Sequence, residues 1–271
     1  MGGKRQPVAQ AHPWHAMEWS VGWLVGVWFL AFIGAFPLRS FTWAQEPIGE
    51  LVQPGIPSFF LSFVIALLLL FVLRHNKWFG HVISVSAASL IFSGLTLFIN
   101  PVLALLIAIV LWAWERTART YLVNGIFVTA LAVFAGLWIS VWYQAPFLLI
   151  AFVFLSIYDV LGVFFSMMIP KLALQAIAIH APLIFAVPQK RSDWLQTIAH
   201  AKPAAIIGVG DALFPAALVA SSVIHRGWEP TLPLIGGLMI GLLIAMVVAR
   251  FRHVVPLFPF LCVGAMVGWF W

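Results

Sequence analysis

Residues 146–168 read Pro146-Phe-Leu-Leu-Ile-Ala-Phe-Val-Phe-Leu-Ser-Ile-Tyr-Asp159-Val-Leu-Gly-Val-Phe-Phe-Ser-Met-Met168, with Asp159 as the single charge. A helix crosses a bilayer with about 20 apolar residues, and this stretch is long enough to do so. The whole chain has the same character. Of its 271 residues, 63% are apolar and 8% charged, against roughly 45–50% and roughly 25% in soluble domains. A globule so poor in charge could not cover its own surface. Nine runs of this kind fit, near 19–36, 56–73, 81–98, 101–114, 121–141, 146–168, 204–224, 232–249 and 254–271. The remainder suffices for loops and tails but for no sizeable soluble domain. The expected fold is an all-α polytopic membrane protein with nine transmembrane helices.

The organisation follows from the gaps. Residues 1–18 form a polar N-terminal tail, 19–141 a five-helix scaffold, and 146–271 a C-terminal part with a long loop at 169–203. The third and fourth runs are divided only by Asn100-Pro101, a turn signal. The run at 19–36 exceeds the roughly 7–15 residues of a signal-peptide core, so it reads as a span. Loop charges test the layout. With the N-terminus and every second loop on one side, twelve of the fourteen Lys and Arg fall there, and only Arg39 and Arg226 fall opposite. The positive-inside rule then makes the N-terminus cytoplasmic and the C-terminus external. The net charge of +6 thus reads as a membrane-orientation signal, and no nucleic-acid partner is expected.

The long loop has its own pattern. Lys171-Leu-Ala-Leu-Gln-Ala-Ile-Ala-Ile-His180 follows Pro170 and puts Lys171 and Gln175 on one face, as a short interfacial helix would. Ala181-Pro-Leu-Ile-Phe-Ala-Val-Pro188 is apolar and extended between prolines, and Gln189 to Lys202 is polar. The single cysteine, Cys262, excludes an internal disulfide, a CxxC pair and a four-Cys zinc site. The eight histidines lie in tails, loops or span ends without carboxylates at ligand spacing, so no metal and no cofactor is expected. Gly22/Gly26, Gly237/Gly241 and Gly264/Gly268 form GxxxG pairs, which in a nine-helix bundle pack within the chain more often than they mark a dimer face.

Only two acidic residues, Asp159 and Asp211, lie inside the runs, and no Lys or Arg lies well inside any run to neutralise them. A carboxylate at membrane depth costs about 3 kcal/mol or more, which makes it a functional candidate. Asp159 is nine residues before Met168, roughly 14 Å from the cytoplasmic face, and Asp211 is seven after Ala204, roughly 10 Å from it, at about 1.5 Å rise per residue. Consecutive antiparallel helices are usually neighbours, so the two acids can face each other. Around Asp211 the chain reads Gly208-Val-Gly-Asp-Ala-Leu-Phe-Pro215. The glycines let another backbone come close, and Pro215 removes the partner of the Asp211 carbonyl, loosening the helix. Val254-Val-Pro256-Leu-Phe-Pro259 weakens the first turns of the ninth run at similar depth.

These elements together resemble the presenilin and signal-peptide-peptidase family of intramembrane aspartyl proteases. Tyr158-Asp159 matches the YD motif of its sixth span, and Gly208-Val209-Gly210-Asp211 matches GxGD of its seventh, with Phe214-Pro215 as the usual continuation. Pro256-Leu257-Phe258 stands where the family has PAL, with Leu-Phe in place of Ala-Leu. Ala181-Pro to Val187-Pro-Gln-Lys-Arg191 is similar to the loop of microbial homologues. The likeness covers roughly residues 145–271. It implies an Asp159/Asp211 dyad and transmembrane segments of membrane proteins as substrates. It further implies a prokaryotic plasma membrane as location and, from the cytoplasmic N-terminus, presenilin-like substrate orientation. Tyr158 would orient Asp159 or the substrate, and the unwound substrate would add as a strand near Pro256 and 181–188.

Two other readings compete. A prepilin-peptidase-like protease also carries GxGD, but that family commonly follows the Asp with Lys and often has CxxC pairs, whereas here Ala212 follows and Cys262 is alone. A proton-coupled transporter could use the two acids as a relay, though no inverted repeat is recognisable.

Overall fold

The computed structural model describes residues 13–40, 79–165, 168–179, 181–198, 203–251 and 254–271. The second apolar run, 56–73, and part of the charge count lie outside the described residues. Each of the other eight runs holds a helix. In chain order the described helices are α1 (Pro13–Arg39), α2 (Phe79–Leu95), α3 (Pro101–Ala118), α4 (Tyr121–Trp142) and α5 (Ala145–Val160), followed by α6 (Met168–Ala178), α7 (Val209–Arg226), α8 (Thr231–Ala249) and α9 (Phe258–Phe270). Helix α1 starts inside the stretch read as a polar tail. The division at Asn100-Pro101 is real: Asn100 caps α3 by accepting the Val102 N–H at 2.8 Å, and Pro101 takes a first-turn position where no donor is needed.

By length and composition five of the described stretches can cross a membrane: α1 from Ala16, α3, α4, Ala145–Phe165 and α8. Helices α2 and α9 are shorter apolar helices. Helix α7 is less apolar because it begins near Asp211 and ends in His225-Arg226. Its position explains why that is tolerated. Ala212, Ala216, Ala217, Leu218, Val219 and Ala220 are all buried, so α7 faces other helices and not lipid. Small side chains let those helices close around it, and α4 and α1 are its most extensive neighbours. The resulting core runs without a break from Leu24 and Trp28 of α1 through α4 and α5 to Ala265 of α9.

Two boundaries expected from hydropathy shift. The seventh run does not start as a helix at 204: residues Ala205–Gly208 form a strand, β2, and α7 begins at Val209. The ninth does not start at 254, because 254–257 are non-helical and α9 begins at Phe258. Pro215 lies inside α7, which continues through it to Arg226. The interruption expected within the helix is found instead at its start, where the chain is extended.

In the long loop, α6 is followed by β1 (Ile184–Val187) and a 3-10 turn at Arg191–Leu195. Strands β1 and β2 pair antiparallel with Ile184 opposite Gly208 and Val187 opposite Ala205. The polar end of the loop is held to the α3–α4 turn. Gln196 accepts the Tyr121 N–H at 3.2 Å, and Arg119 accepts the Ile198 N–H at 3.2 Å. Helices α8 and α9 lie against each other through the two GxxxG pairs: a Cβ on Gly237 would overlap the Gly264 carbonyl, and one on Gly264 the Gly237 carbonyl. As the sequence reading expected, these glycines pack within the chain, whereas a Cβ on Gly22 or Gly26 of α1 would meet nothing within 4 Å among the described residues.

Candidate active site

Asp159 sits in the last turn of α5 with 7% of its surface exposed. Directly after it the helix changes to a π-helical turn, Leu161–Phe165, a departure from α-geometry that is frequent at functional sites. Among the described residues its carboxylate does not find a hydroxyl. Oδ2 accepts the backbone N–H of Phe258 at 3.1 Å. That donor is available because Phe258 opens α9, and the first N–H groups of a helix have no partner within it. The prolines at 256 and 259 are therefore more than a weak start. They hold the chain out of helix before Phe258, so that the N-terminal end of α9, the positive end of its dipole, points at Asp159.

Asp211 uses the start of its own helix. It is the third residue of α7, and its Oδ2 accepts the Gly208 N–H at 3.2 Å. This is the carboxylate half of a capping box. An acid in the first turn also favours the helix dipole. Each carboxylate thus takes a backbone N–H from a helix N-terminus.

Both acids open into one cavity of about 710 Å³. Tyr158, Gly208, Val209, Gly210, Leu257 and Phe258 line it as well, so the structure brings together all the candidate residues except Pro256, which is buried outside the lining. Helix α6 and both strands complete the wall. Among the described residues no Lys or Arg lines it. Gly210 has a definite neighbour: a Cβ there would lie 3.8 Å from the Phe258 ring. That ring packs edge-on to Phe152 of α5 at 5.5 Å and to Phe214 of α7 at 6.0 Å. Phe258 accordingly ties α9 to the helices carrying both acids.

The depths counted at helical rise do not survive for Asp211, since four of the preceding residues are strand. Proximity of the two acids comes instead from the shared cavity. Strand β2 was missed by the sequence reading. The available signal was Ala205-Ile-Ile-Gly208, a short β-branched run between Pro203 and a glycine.

The sequence model of the signal-peptide peptidase, presenilin aspartyl protease family matches residues 119–271. The chain belongs to that family. The presenilin-type assignment covers α4 to α9 and hence every residue of the cavity described above. Two solved structures, both of a presenilin family intramembrane aspartate protease, share the fold. The form in space group C222 is 20% identical, aligns over 91% of this chain and 92% of that one, and gives a TM-score of 0.58. The form in space group P2 is 19% identical over 91% and 94%, with a TM-score of 0.54. No curated protein matches the sequence. This family member is a membrane-embedded aspartyl protease homologue with several helices apolar enough to span a bilayer.

Proposed function

We propose that the chain hydrolyses peptide bonds within transmembrane segments through Asp159, Asp211 and an activated water. The observation that carries this reading is the single cavity into which both carboxylates open, with no basic side chain lining it among the described residues. Magnitudes favour a shared proton. Each borrowed N–H contributes about 1.5–3 kcal/mol, against a cost of about 3 kcal/mol or more for each buried charge. That balance can hold one charge but not two adjacent ones, so the pair keeps one proton and titrates as a unit.

The ionised acid removes a proton from water as it attacks the scissile carbonyl. The protonated acid donates to the carbonyl oxygen, and the proton taken from water then serves the departing nitrogen. Tyr158 contributes to orienting Asp159 or the substrate. A helical substrate must unwind first. Strand β2 supplies Ala205, Ile206 and Gly208 to the cavity wall, against Ile184 alone from β1, so the unwound segment is expected to add along β2. The bundle has nine spans, with the N-terminus in the cytoplasm and the C-terminus outside. It acts on membrane proteins in a prokaryotic plasma membrane.

The test uses purified full-length protein and one model transmembrane peptide. Asp159→Asn and Asp211→Asn should each abolish cleavage, and the double variant should be no worse, because the pair acts together. Either single variant cleaving near the wild-type rate would overturn the dyad. Proton-coupled transport by wild type without cleavage would establish the relay reading instead.

A further inference from the structure

Besides its packing against α7, helix α1 reaches β1 through a stacked pair of rings. Phe185, the second residue of β1, is 4% exposed. Trp23 of α1 stacks on it face to face, with centroids 4.1 Å apart and planes at 4°. The indole is itself fixed: its N–H donates to Thr129 Oγ1 of α4 at 2.7 Å, and that hydroxyl donates to the Gly125 carbonyl at 2.6 Å. Gly125 provides the space for the ring, since a Cβ there would lie 3.1 Å from Phe185 Cε2. Trp194 of the 3-10 turn closes the remaining side, 6.3 Å from the Phe185 ring.

From Phe185 the connection to the site is short and made of backbone. Phe185 lies opposite Ile207, and its neighbour Ile184 lies opposite Gly208. The pairing is extended at both ends, by the Ala204 N–H to the Val187 carbonyl at 2.7 Å and by the Val209 N–H to the Leu183 carbonyl at 2.9 Å. Gly208 then gives its N–H to Asp211. A ring gripped by three elements within a two-stranded ladder thus fixes, one register position away, the donor that orients a carboxylate. Isolated two-stranded ribbons are marginal on their own, so this one needs an anchor.

We infer that Phe185, clamped by Trp23 and seated on Gly125, is a positioning residue for Asp211, acting through β2 and the Gly208 N–H. The inference rests on the reading of Asp211 as catalytic. Neither aromatic ring belongs to the cavity lining, so the effect should fall on turnover and not on substrate affinity.

The experiment compares full-length wild type with Phe185→Leu, Trp23→Leu, Trp23→Phe and Gly125→Ala, by steady-state cleavage of a transmembrane peptide, thermal melting and amide hydrogen exchange. Misplacing a reacting group by about 1 Å can cost about 100-fold. Phe185→Leu and Trp23→Leu should lower kcat about tenfold or more with KM changed less than about twofold. Trp23→Phe keeps a ring to stack and should recover most of kcat. Gly125→Ala leaves both aromatics in place but pushes on Phe185, and should lower kcat in the same manner. Exchange at the Gly208 and Val209 amides should quicken in every variant that loses kcat. A loss confined to KM, equal losses in Trp23→Phe and Trp23→Leu, or unchanged exchange at Gly208 in Phe185→Leu overturns the inference. Failure of the dyad reading is seen separately, as an Asp211→Asn variant that still cleaves. Amide exchange reads the grip of Phe185 on Gly208 without any cleavage.

Discussion

Gly208→Ala is the most informative small perturbation of the site. The backbone at 208 is extended, with φ −67° and ψ 140°, a conformation alanine adopts without strain. The difficulty is purely local. The new Cβ would lie 3.3 Å from Asp211 Oδ2, the same oxygen that accepts the Gly208 N–H at 3.2 Å. Methyl and donor belong to one residue, so the carboxylate cannot retreat from the first without leaving the second. A retreat of about 0.3 Å stretches the bond to about 3.5 Å, the outer limit of a hydrogen bond. A bond to a charged group is worth about 1.5–3 kcal/mol. Losing half to all of it is about 1–3 kcal/mol, or a fall in kcat of about 5- to 150-fold. Gly210→Ala is the matched control: its Cβ would meet the Phe258 ring at 3.8 Å, an ordinary contact. Its melting temperature should be unchanged or raised, since alanine is the better helix former by about 0.5–1 kcal/mol. The assay is peptide cleavage by purified protein, with kcat and KM resolved and melting followed in detergent. Wild-type kcat in Gly208→Ala, with folding intact, would refute the reasoning.

Three further expectations follow from the same geometry. Cleavage should follow a bell-shaped pH profile: activity falls on the acid side as the dyad takes up a second proton and on the alkaline side as it loses the shared one. A flat profile from about pH 4 to 9, with chemistry rate-limiting, would argue against the pair. A reporter active only outside the cell should be active after Trp271 and silent within 169–203, and the reverse would show the loop charges to mislead. Gly264→Ala drives a methyl into the Gly237 carbonyl, and should destabilise the protein by about 1–3 kcal/mol by overpacking, read as a lower melting temperature with the active-site residues untouched.

Hydropathy located the described helices well because lipid enforces contiguous apolar runs, and local chemistry made legible the Asn100-Pro101 turn and a loop helix, expected from Lys171 and found at Met168–Ala178 with Pro170 in its first turn. The start of α7 was not. Ala204 to Ala220 is continuously apolar apart from Asp211, and without polar alternation a short strand ahead of a helix gives no periodic signal. Asp159 and Asp211 stood out as acids without basic partners, but what satisfies them did not. The Phe258 donor lies 99 residues from Asp159, and backbone N–H groups carry no sequence signature. The Phe185 anchor is invisible for the same reason: Trp23 is one of 14 tryptophans, most of which an interfacial belt explains equally well.

The N–H that α9 lends to Asp159 also bears on how the protein is made. Synthesis proceeds from the N-terminus, so Asp159 is in place long before Phe258 exists. Until α9 folds against α5 and α8, Asp159 lacks that donor, and a charge left without a hydrogen-bond partner in a low-dielectric setting is costly. The donor that would favour a charged Asp159 is therefore in place only once α9 has packed. On the proposed reading, in which the substrates are membrane helices, this order of assembly leaves the site incomplete while the protein's own helices are still unpacked.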